Sequence, residues 1–171
     1  MRRLLAASGV AALTLFGPVG VAGATHSEGA GPRNQDFVTG TAGLPDTSLG
    51  GDFHFNAYSD PEGDDPRGHY WAKEAIGGLF TFHAVVECLR VFVQPGDATV
   101  AIVGTRATRG NVTEGSAQIF RVEDRGEPGT AGDTFSGRPT NNPQDCRTMD
   151  VVAPSQQPLE NGNFTVHNAA P

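Results

Sequence analysis

Three histidines could perform metal chemistry together if the fold brought them onto one face of a β-sheet. His54, His83 and His167 each lie beside phenylalanines in short apolar segments typical of strands. The phenylalanines concerned are Phe53, Phe55, Phe82 and Phe164. Because successive strand side chains alternate between faces, all three imidazoles would lie opposite the phenylalanines, and three imidazoles with an open fourth position can hold catalytic zinc. No spacing motif supports this cluster, so we favour three independent surface histidines and expect no zinc.

An acidic loop is the second candidate metal site. Its carboxylates are Asp60, Glu62, Asp64 and Asp65. Calcium prefers several carboxylate oxygens on a flexible loop. However, Gly63 stands two positions before the place where an EF-hand loop requires glycine, and Trp71 occupies the position of the bidentate glutamate. We therefore favour a solvated loop whose aspartates bind their own backbone, and we assign no metal site and no cofactor.

A distinctive turn follows later in the chain. Residues 124–129 read Asp-Arg-Gly-Glu-Pro-Gly, and Asp133 comes four residues after them. Short aspartate side chains commonly accept hydrogen bonds from nearby backbone amides. We interpret Asp124 and Asp133 as such acceptors, which hold the turn together, rather than as calcium ligands.

Local catalytic motifs are missing from the sequence. It contains no His-Glu-x-x-His, no Cys-x-x-Cys, no Gly-x-Ser-x-Gly and no glycine-rich phosphate loop ending in lysine. A scattered catalytic triad leaves no such local signature. Whether the protein is an enzyme stays open at this stage, and a non-enzymatic role is favoured.

A β-hairpin is the strongest structural prediction. Two runs rich in β-branched and aromatic residues, 79–93 and 98–105, flank the turn Gln94-Pro95-Gly96-Asp97. Pro95 presets φ at the first central position of a type II turn, and Gly96 supplies the positive φ required at the second. The first run is too apolar for a half-solvated strand and is predicted to lie at the centre of a sheet.

Other short segments are also predicted to be strands. They are residues 37–42, 52–58, 116–124, 134–136 and 163–167, with 69–76 favoured as a bulged strand over two helical turns. Residues 137–159 contain four prolines and are predicted to form a long surface excursion. We predict an all-β, single antiparallel β-sandwich or small β-barrel with long Gly/Pro-rich loops.

The N-terminus resembles an export signal. Arg2 and Arg3 precede an apolar stretch, and Ala22-Gly23-Ala24 fits a cleavage site, so residues 1–24 are predicted to be a signal peptide. Residues 25–36 are predicted to be a disordered polar linker and 37–171 a single β domain. Loss of the two arginines would change the net charge from −7 to −9, which argues against nucleic acid as a partner. We expect a secreted protein with an extracellular partner or ligand and no membrane span after cleavage.

The two cysteines are predicted to form a disulfide. An exported chain meets an oxidising compartment, and an even number of cysteines leaves no odd thiol. Cys88 has the strand parity of Phe82, Ala84 and Val86, so its side chain is expected to face the core with them. Bonding to Cys146 would fasten the long excursion to the most buried strand.

Several segments together resemble a group of secreted bacterial proteins of unknown function. They are Phe53-His54-Phe55-Asn56-Ala57, Val86–Val91, the turn 124–129 with Asp133-Thr134-Phe135, and Gly162-Asn163-Phe164-Thr165-Val166-His167. The resemblance covers most of the chain after residue 24, although the group commonly has asparagine where this chain has Arg125. It implies a compact extracellular β domain and carries no activity, cofactor or catalytic residue.

Three functions remain open on the sequence. The favoured one is a non-enzymatic binding or surface-interaction module. The second is a small-molecule carrier whose barrel encloses a pocket lined by Phe80, Phe82 and Phe120. The third is a metal-dependent enzyme built on His54, His83 and His167, which requires their side chains to converge.

Overall fold

The part of the chain that the structure describes forms nine β-strands and one short 3₁₀ helix. The computed structural model describes residues 34–45, 51–75, 80–126, 132–149 and 156–169. The strands are β1 (Asp36–Leu44), β2 (Gly51–Ser59), β3 (Arg67–Ala75), β4 (Phe80–Val93), β5 (Thr99–Gly110), β6 (Ala117–Asp124), β7 (Thr134–Thr140), β8 (Gln157–Pro158) and β9 (Asn161–His167). The 3₁₀ helix is Pro143–Arg147. None of the helices in these ranges is long and apolar enough to cross a membrane.

All nine strands belong to one antiparallel sheet. Their order is β8-β7-β6-β5-β4-β3-β2-β1-β9, so each of strands β1 to β7 pairs with the next strand in sequence, and β9 lies at the far edge beside β1. The sheet curls into a half-barrel, and side chains of β7 and β9 meet across its concave side, where the Phe135 and Phe164 rings lie 6.1 Å apart. The predicted all-β antiparallel class is confirmed.

Aromatic rings fill the concave face. Phe55 lies near the middle, with its ring centroid 4.5 Å from Tyr70, 5.5 Å from Phe120 and 5.8 Å from Phe164. Tyr70 lies 4.4 Å from Phe120, and all four side chains are almost fully buried. These residues occupy alternate positions of their strands, as the period-two pattern of the sequence predicts. Their burial is the main apolar contribution to the stability of the sheet.

Tyr70 carries an uncompensated polar group in this core. Its hydroxyl is buried and has no hydrogen-bond partner, and burial raises its pKa well above the usual value. We expect Tyr70→Phe to stabilise the fold by about 1 kcal/mol, because it removes the desolvated hydroxyl and keeps the ring. Urea denaturation of the two proteins measures the change, and a loss of stability on substitution would contradict it.

The local predictions for the central hairpin and for β3 are confirmed. In the turn between β4 and β5, the Asp97 amide donates to the Gln94 carbonyl oxygen at 3.2 Å, and Gly96 has a φ of 97°. Strand β3 is extended rather than helical, and its register with β4 shifts between Ala72 and Ala75. The bulge accommodates the residues that the sequence left ambiguous between helix and strand.

A second, smaller core lies on the convex face. It contains Cys88, Val100, Ile102, Ile119 and Cys146. The 3₁₀ helix covers these side chains and approaches the sheet at Gly104, where any Cβ would collide with the carbonyl oxygen of Pro143. The Cα atoms of the two cysteines lie 6.1 Å apart and their Sγ atoms are at bonding distance, in agreement with the predicted disulfide.

The expected orientation of Cys88 is wrong. Val86 lies in the concave core, whereas Cys88 lies in the convex one, and Leu89 is again on the concave side. The cause is a register shift between Val86 and Cys88, where Glu87 forms a bulge against β5. A bulge adds one residue to one strand and therefore reverses the parity of everything after it.

The excursion begins later than predicted. Residues 137–140, including Pro139, continue strand β7 instead of forming loop. Strand β8 pairs only with Thr134 and Phe135, so the Pro139 nitrogen lacks a strand neighbour on that side and no ladder hydrogen bond is lost there. Strand β1 likewise begins at Asp36, the residue assigned to the end of the linker.

Some predictions fall outside the residues that the structure describes. They are the signal peptide, residues 1–24, its cleavage after Ala24, and the linker up to residue 33. Val151 and Val152, which belong to the predicted excursion, also lie outside, and residues 127–131 do too.

Candidate functional site

One row of side chains crosses five strands on the convex face of the sheet. The register places Thr41 beside His54, His54 beside Trp71, Trp71 beside His83, and His83 beside Arg109. His69 lies on the same face of β3, two residues before Trp71. We call Thr41, His54, His69, Trp71, His83 and Arg109 the His–Trp strip. The 3₁₀ helix packs on the adjoining part of this face, over β4, β5 and β6.

The rings of the strip stand side by side. His54 stacks on Trp71 with centroids 5.6 Å apart and on His69 at 6.0 Å, with interplanar angles of 23° and 22°. Strand side chains stand roughly perpendicular to the sheet. The strip therefore brings imidazole, indole and guanidinium groups, all of which can donate hydrogen bonds, into one row on the convex face.

Electrostatics favour the neutral form of two of these histidines. Burial lowers the pKa of His54, and the charge of His69 lowers it further. Burial, Arg109 and His69 together lower the pKa of His83. The Nδ1 atom of His54 is hydrogen-bonded to Thr41 Oγ1 at 2.8 Å, which fixes the orientation of the ring.

Few other charges face the strip. Asp52 of β2 and Lys73 of β3 are directly opposite each other in the strand register, in the row next to the strip. On the other side, Arg106 binds both carboxylate oxygens of Glu87, at 2.7 and 3.1 Å, so this pair adds little net charge. Val85 lies on β4 between His83 of the strip and Glu87. It is 42% exposed and is one of two exposed large apolar side chains in the described ranges.

The three histidines weighed as an alternative zinc site do not converge in the structure. His54 and His83 share the convex face, but Trp71 stands between them, so they are separated by two strand spacings, roughly 10 Å. His167 pairs with Phe37 and stacks on its ring at 5.0 Å. Since Thr41 lies four residues along β1 from Phe37, His167 lies roughly 13 Å along the strand direction from the strip.

The structure accordingly offers no converging ligand set in its described part. Within those ranges, no three His, Cys, Asp or Glu side chains are grouped so that they could hold a metal ion.

The acidic loop binds protein groups through three of its carboxylates. Asp60 accepts a hydrogen bond from the Asp64 amide, as predicted for a loop that satisfies its own backbone. Asp64 forms an ion pair with Arg147 at 3.1 Å, and Asp65 forms one with Arg67 at 3.1 Å. Glu62 is exposed. Arg147 also donates to the Gly63 carbonyl oxygen, so this loop helps to hold the 3₁₀ helix on the sheet.

Asp124 and Asp133 bind backbone amides, as predicted. Asp124 accepts from Gly126 at 2.7 Å and Asp133 accepts from Arg125 at 3.1 Å. Both also reach the outer edge of β9, where Asp124 accepts from Val166 at 2.8 Å and Asp133 from the backbone of Phe164. Burial raises the pKa of Asp133 even so. These carboxylates join the two ends of the curled sheet, a role that the sequence did not reveal.

The proposed carrier pocket is occupied by side chains where it is described. Phe82 and Phe120 are each 3% exposed and both contact the Tyr70 ring, at 5.3 and 4.4 Å. The side chain of Phe80 lies outside what the structure describes. The concave face around Tyr70 is thus filled by the protein's own rings.

Sequence reasoning missed four members of the strip: Thr41, His69, Trp71 and Arg109. His69 and Trp71 alternate with the buried Tyr70, a signal that was legible once β3 was treated as a strand. Arg109 comes beside His83 only because the β4–β5 register shifts at Ala84, which no local pattern indicates.

Comparison with known proteins finds no matching family model, no similar curated protein and no similar solved structure.

Proposed function

We propose that the protein is a non-enzymatic binding module that acts outside the cell, and that the His–Trp strip is its binding surface. The observation that carries this proposal is the row of adjacent imidazole, indole and guanidinium side chains, centred on Trp71, on the part of the convex face beside the covered second core. Aromatic residues and arginine are the side chains that contribute most to recognition surfaces. The cysteine pair at disulfide distance is compatible with an oxidising location.

The contacts between the two edges of the sheet favour a small barrel over a sandwich. Leu159 donates its amide to the Asp133 carbonyl oxygen on the β7 side, and Glu160 donates to Gly43 on the β1 side. One short stretch of chain thereby bridges both edges. A barrel filled by its own rings leaves its outer surface as the place for a ligand.

One observation favours the carrier as a second candidate. The unpartnered Tyr70 hydroxyl could donate a hydrogen bond to an acceptor atom on a ligand inside the sheet. Such a ligand would have to displace rings that now touch one another at 4.4–5.8 Å. The displacement would sacrifice packing that a single hydrogen bond does not restore, so the outer strip is favoured.

Amide and ring resonances can distinguish the two sites. We expect a ligand from a panel of neutral glycans, acidic glycans and extracellular peptides to shift signals of His54, Trp71 and His83 in ¹H–¹⁵N and aromatic NMR spectra. Trp71 is the one tryptophan in the sequence, so its indole signal and its fluorescence report directly on the strip.

The control is the position of the shifts. A ligand that perturbs Phe55, Tyr70 and Phe120 while leaving Trp71 unchanged would contradict the proposal and support the carrier. Substitution of Trp71 by alanine should abolish binding, and Val93→Ala, which alters an exposed apolar residue in a different row, should not.

A further inference from the structure

Resting on the proposed function, we infer that the His–Trp strip binds an acidic polysaccharide, and that binding strengthens as the histidines become protonated. The inferred ligand is a linear chain of sugars that bears carboxylates at intervals. Three features of the strip favour such a ligand: its local charge, its shape and its mixture of donors.

The charge of the strip is opposite to that of the whole chain. The chain carries a formal net charge of −7, yet the strip holds three imidazoles and the exposed Arg109. Among the side chains that the structure describes, the acidic groups at neighbouring positions of β2 and β4 are Asp52, opposite Lys73 in the next row, and Glu87, which is bound by Arg106. A further pair, Arg67 with Asp65, lies at the end of β3. Protonation therefore makes the strip a cationic band on an acidic molecule, which favours an anionic ligand.

The shape of the strip suits a chain lying across the strands. Five neighbouring strands at a spacing of about 4.8 Å make a row roughly 19 Å long from Thr41 to Arg109. The donors along it alternate between groups that gain charge, such as His54 and His83, and groups that stay neutral, such as the Trp71 indole. A polysaccharide presents the matching alternation of carboxylates and hydroxyl groups.

Nucleic acid fits this surface less well. Duplex binding depends on several permanently charged lysines and arginines that neutralise phosphates. The strip itself offers Arg109, with Lys73 at its rim, and the rest of its charge appears only on protonation of imidazoles. Duplex DNA is therefore an alternative outcome of the test rather than the inferred ligand.

The pH dependence follows from the geometry. His54 and His83 resist protonation because they are partly buried and because His69 and Arg109 lie beside them. A bound carboxylate supplies the missing countercharge and favours the protonated rings. By linkage, protonated histidines then bind the carboxylate more tightly, so affinity rises as pH falls through the histidine range.

The test measures binding of polygalacturonate to the folded protein by biolayer interferometry and Trp71 fluorescence. We expect affinity to rise roughly tenfold between pH 7.5 and pH 5.5 and to fall with added salt. Dextran of equal length should bind weakly and without pH dependence. The variant His54→Gln/His83→Gln should lose most of the pH-dependent part, because it removes two of the three imidazoles of the strip, and its denaturation curve verifies that it is folded.

His167→Gln is the matched control, because it makes the same change on the same face away from the strip. Equal binding of polygalacturonate and dextran, retention of the pH dependence in the double variant, or tighter binding of duplex DNA would each overturn the inference. If polygalacturonate fails but a neutral glycan or a peptide shifts Trp71, the inference falls and the proposed function stands. If ligands shift only interior resonances, both fall.

Discussion

Replacing both cysteines, as Cys88→Ala/Cys146→Ala, should lower the free energy of unfolding by roughly 4 kcal/mol, the value expected for a crosslink that closes a loop of this length. The bond spans 58 residues and fastens the 3₁₀ helix over Val100, Ile102 and Ile119. Without it, the unfolded chain gains conformational freedom, and the 3₁₀ helix is held over the convex core by hydrogen bonds, by the Arg147–Asp64 ion pair and by apolar packing. A typical domain has a total stability of about 5–15 kcal/mol, so the loss would be large.

Urea denaturation of the oxidised protein and of the double variant measures this difference. Reduction of the wild type should reproduce most of the loss, and the double variant should not respond to reductant. Thiol counting in denaturant provides the complementary check, since the oxidised chain should titrate no free thiol. Two titratable thiols in the oxidised protein, or a loss below about 1 kcal/mol, would contradict the prediction.

The hydrogen bonds that hold the 3₁₀ helix on the sheet determine how far the loss of stability is confined to this helix. Arg90 donates to the carbonyl oxygens of Arg147 and Met149 at 3.0 and 3.1 Å, and Gln144 donates to that of Glu87 at 2.7 Å. We therefore expect amides of residues 143–149 to lose hydrogen-exchange protection in the double variant, while amides beside the concave core keep theirs.

The second large effect concerns a buried ion pair on the convex face of β6. Arg121 and Glu123 have side chains 5% and 4% exposed. The Nε atom of Arg121 donates to Glu123 at 2.9 Å, and Gln94 accepts from the same guanidinium at 2.7 Å. Burial raises the pKa of Glu123, but hydrogen bonds from Arg121 and Gln156 and the charges of Arg121 and Arg125 outweigh it, so the pKa is lowered overall.

Arg121→Met should destabilise the fold by about 3–5 kcal/mol at neutral pH, because it leaves the Glu123 carboxylate buried without its main partner. The double change Arg121→Met/Glu123→Leu should recover most of that loss, since neither charge remains to be desolvated. Arg106→Met removes an arginine from an exposed pair and is the matched control, with a much smaller expected effect.

The pH dependence of the two proteins should differ in sign. In the wild type, the contribution of Glu123 is present above its ordinary pKa of 4.5 and is lost as pH falls through the lower folded value. In Arg121→Met, the desolvated carboxylate has a raised pKa, so the deficit should shrink as acid protonates it. Denaturation at pH 7.5, at pH 4.5 and at pH 3 measures both trends. An Arg121→Met deficit that grows with acid would contradict the assignment of the charge.

The His–Trp strip explains why only part of the site was accessible from sequence. That His54 and His83 face away from the phenylalanines followed from alternation alone, and the structure agrees. Strand order and register determine that Trp71 separates them, that His69 joins them and that His167 does not. Those depend on pairings between residues far apart in the chain, which no local pattern contains.

The sequence by itself determined the all-β class, the turn at Pro95-Gly96, the bulge in β3, and the aspartates as acceptors of backbone amides, because each follows from the φ preference, side-chain period or hydrogen-bonding capacity of a few neighbouring residues. Only the tertiary structure decided which face Cys88 occupies, where the two edges of the sheet meet, and which imidazoles lie together. One added residue at Glu87 reverses the parity of its strand, and its position is chosen by the partner strand and by the packing of the 3₁₀ helix.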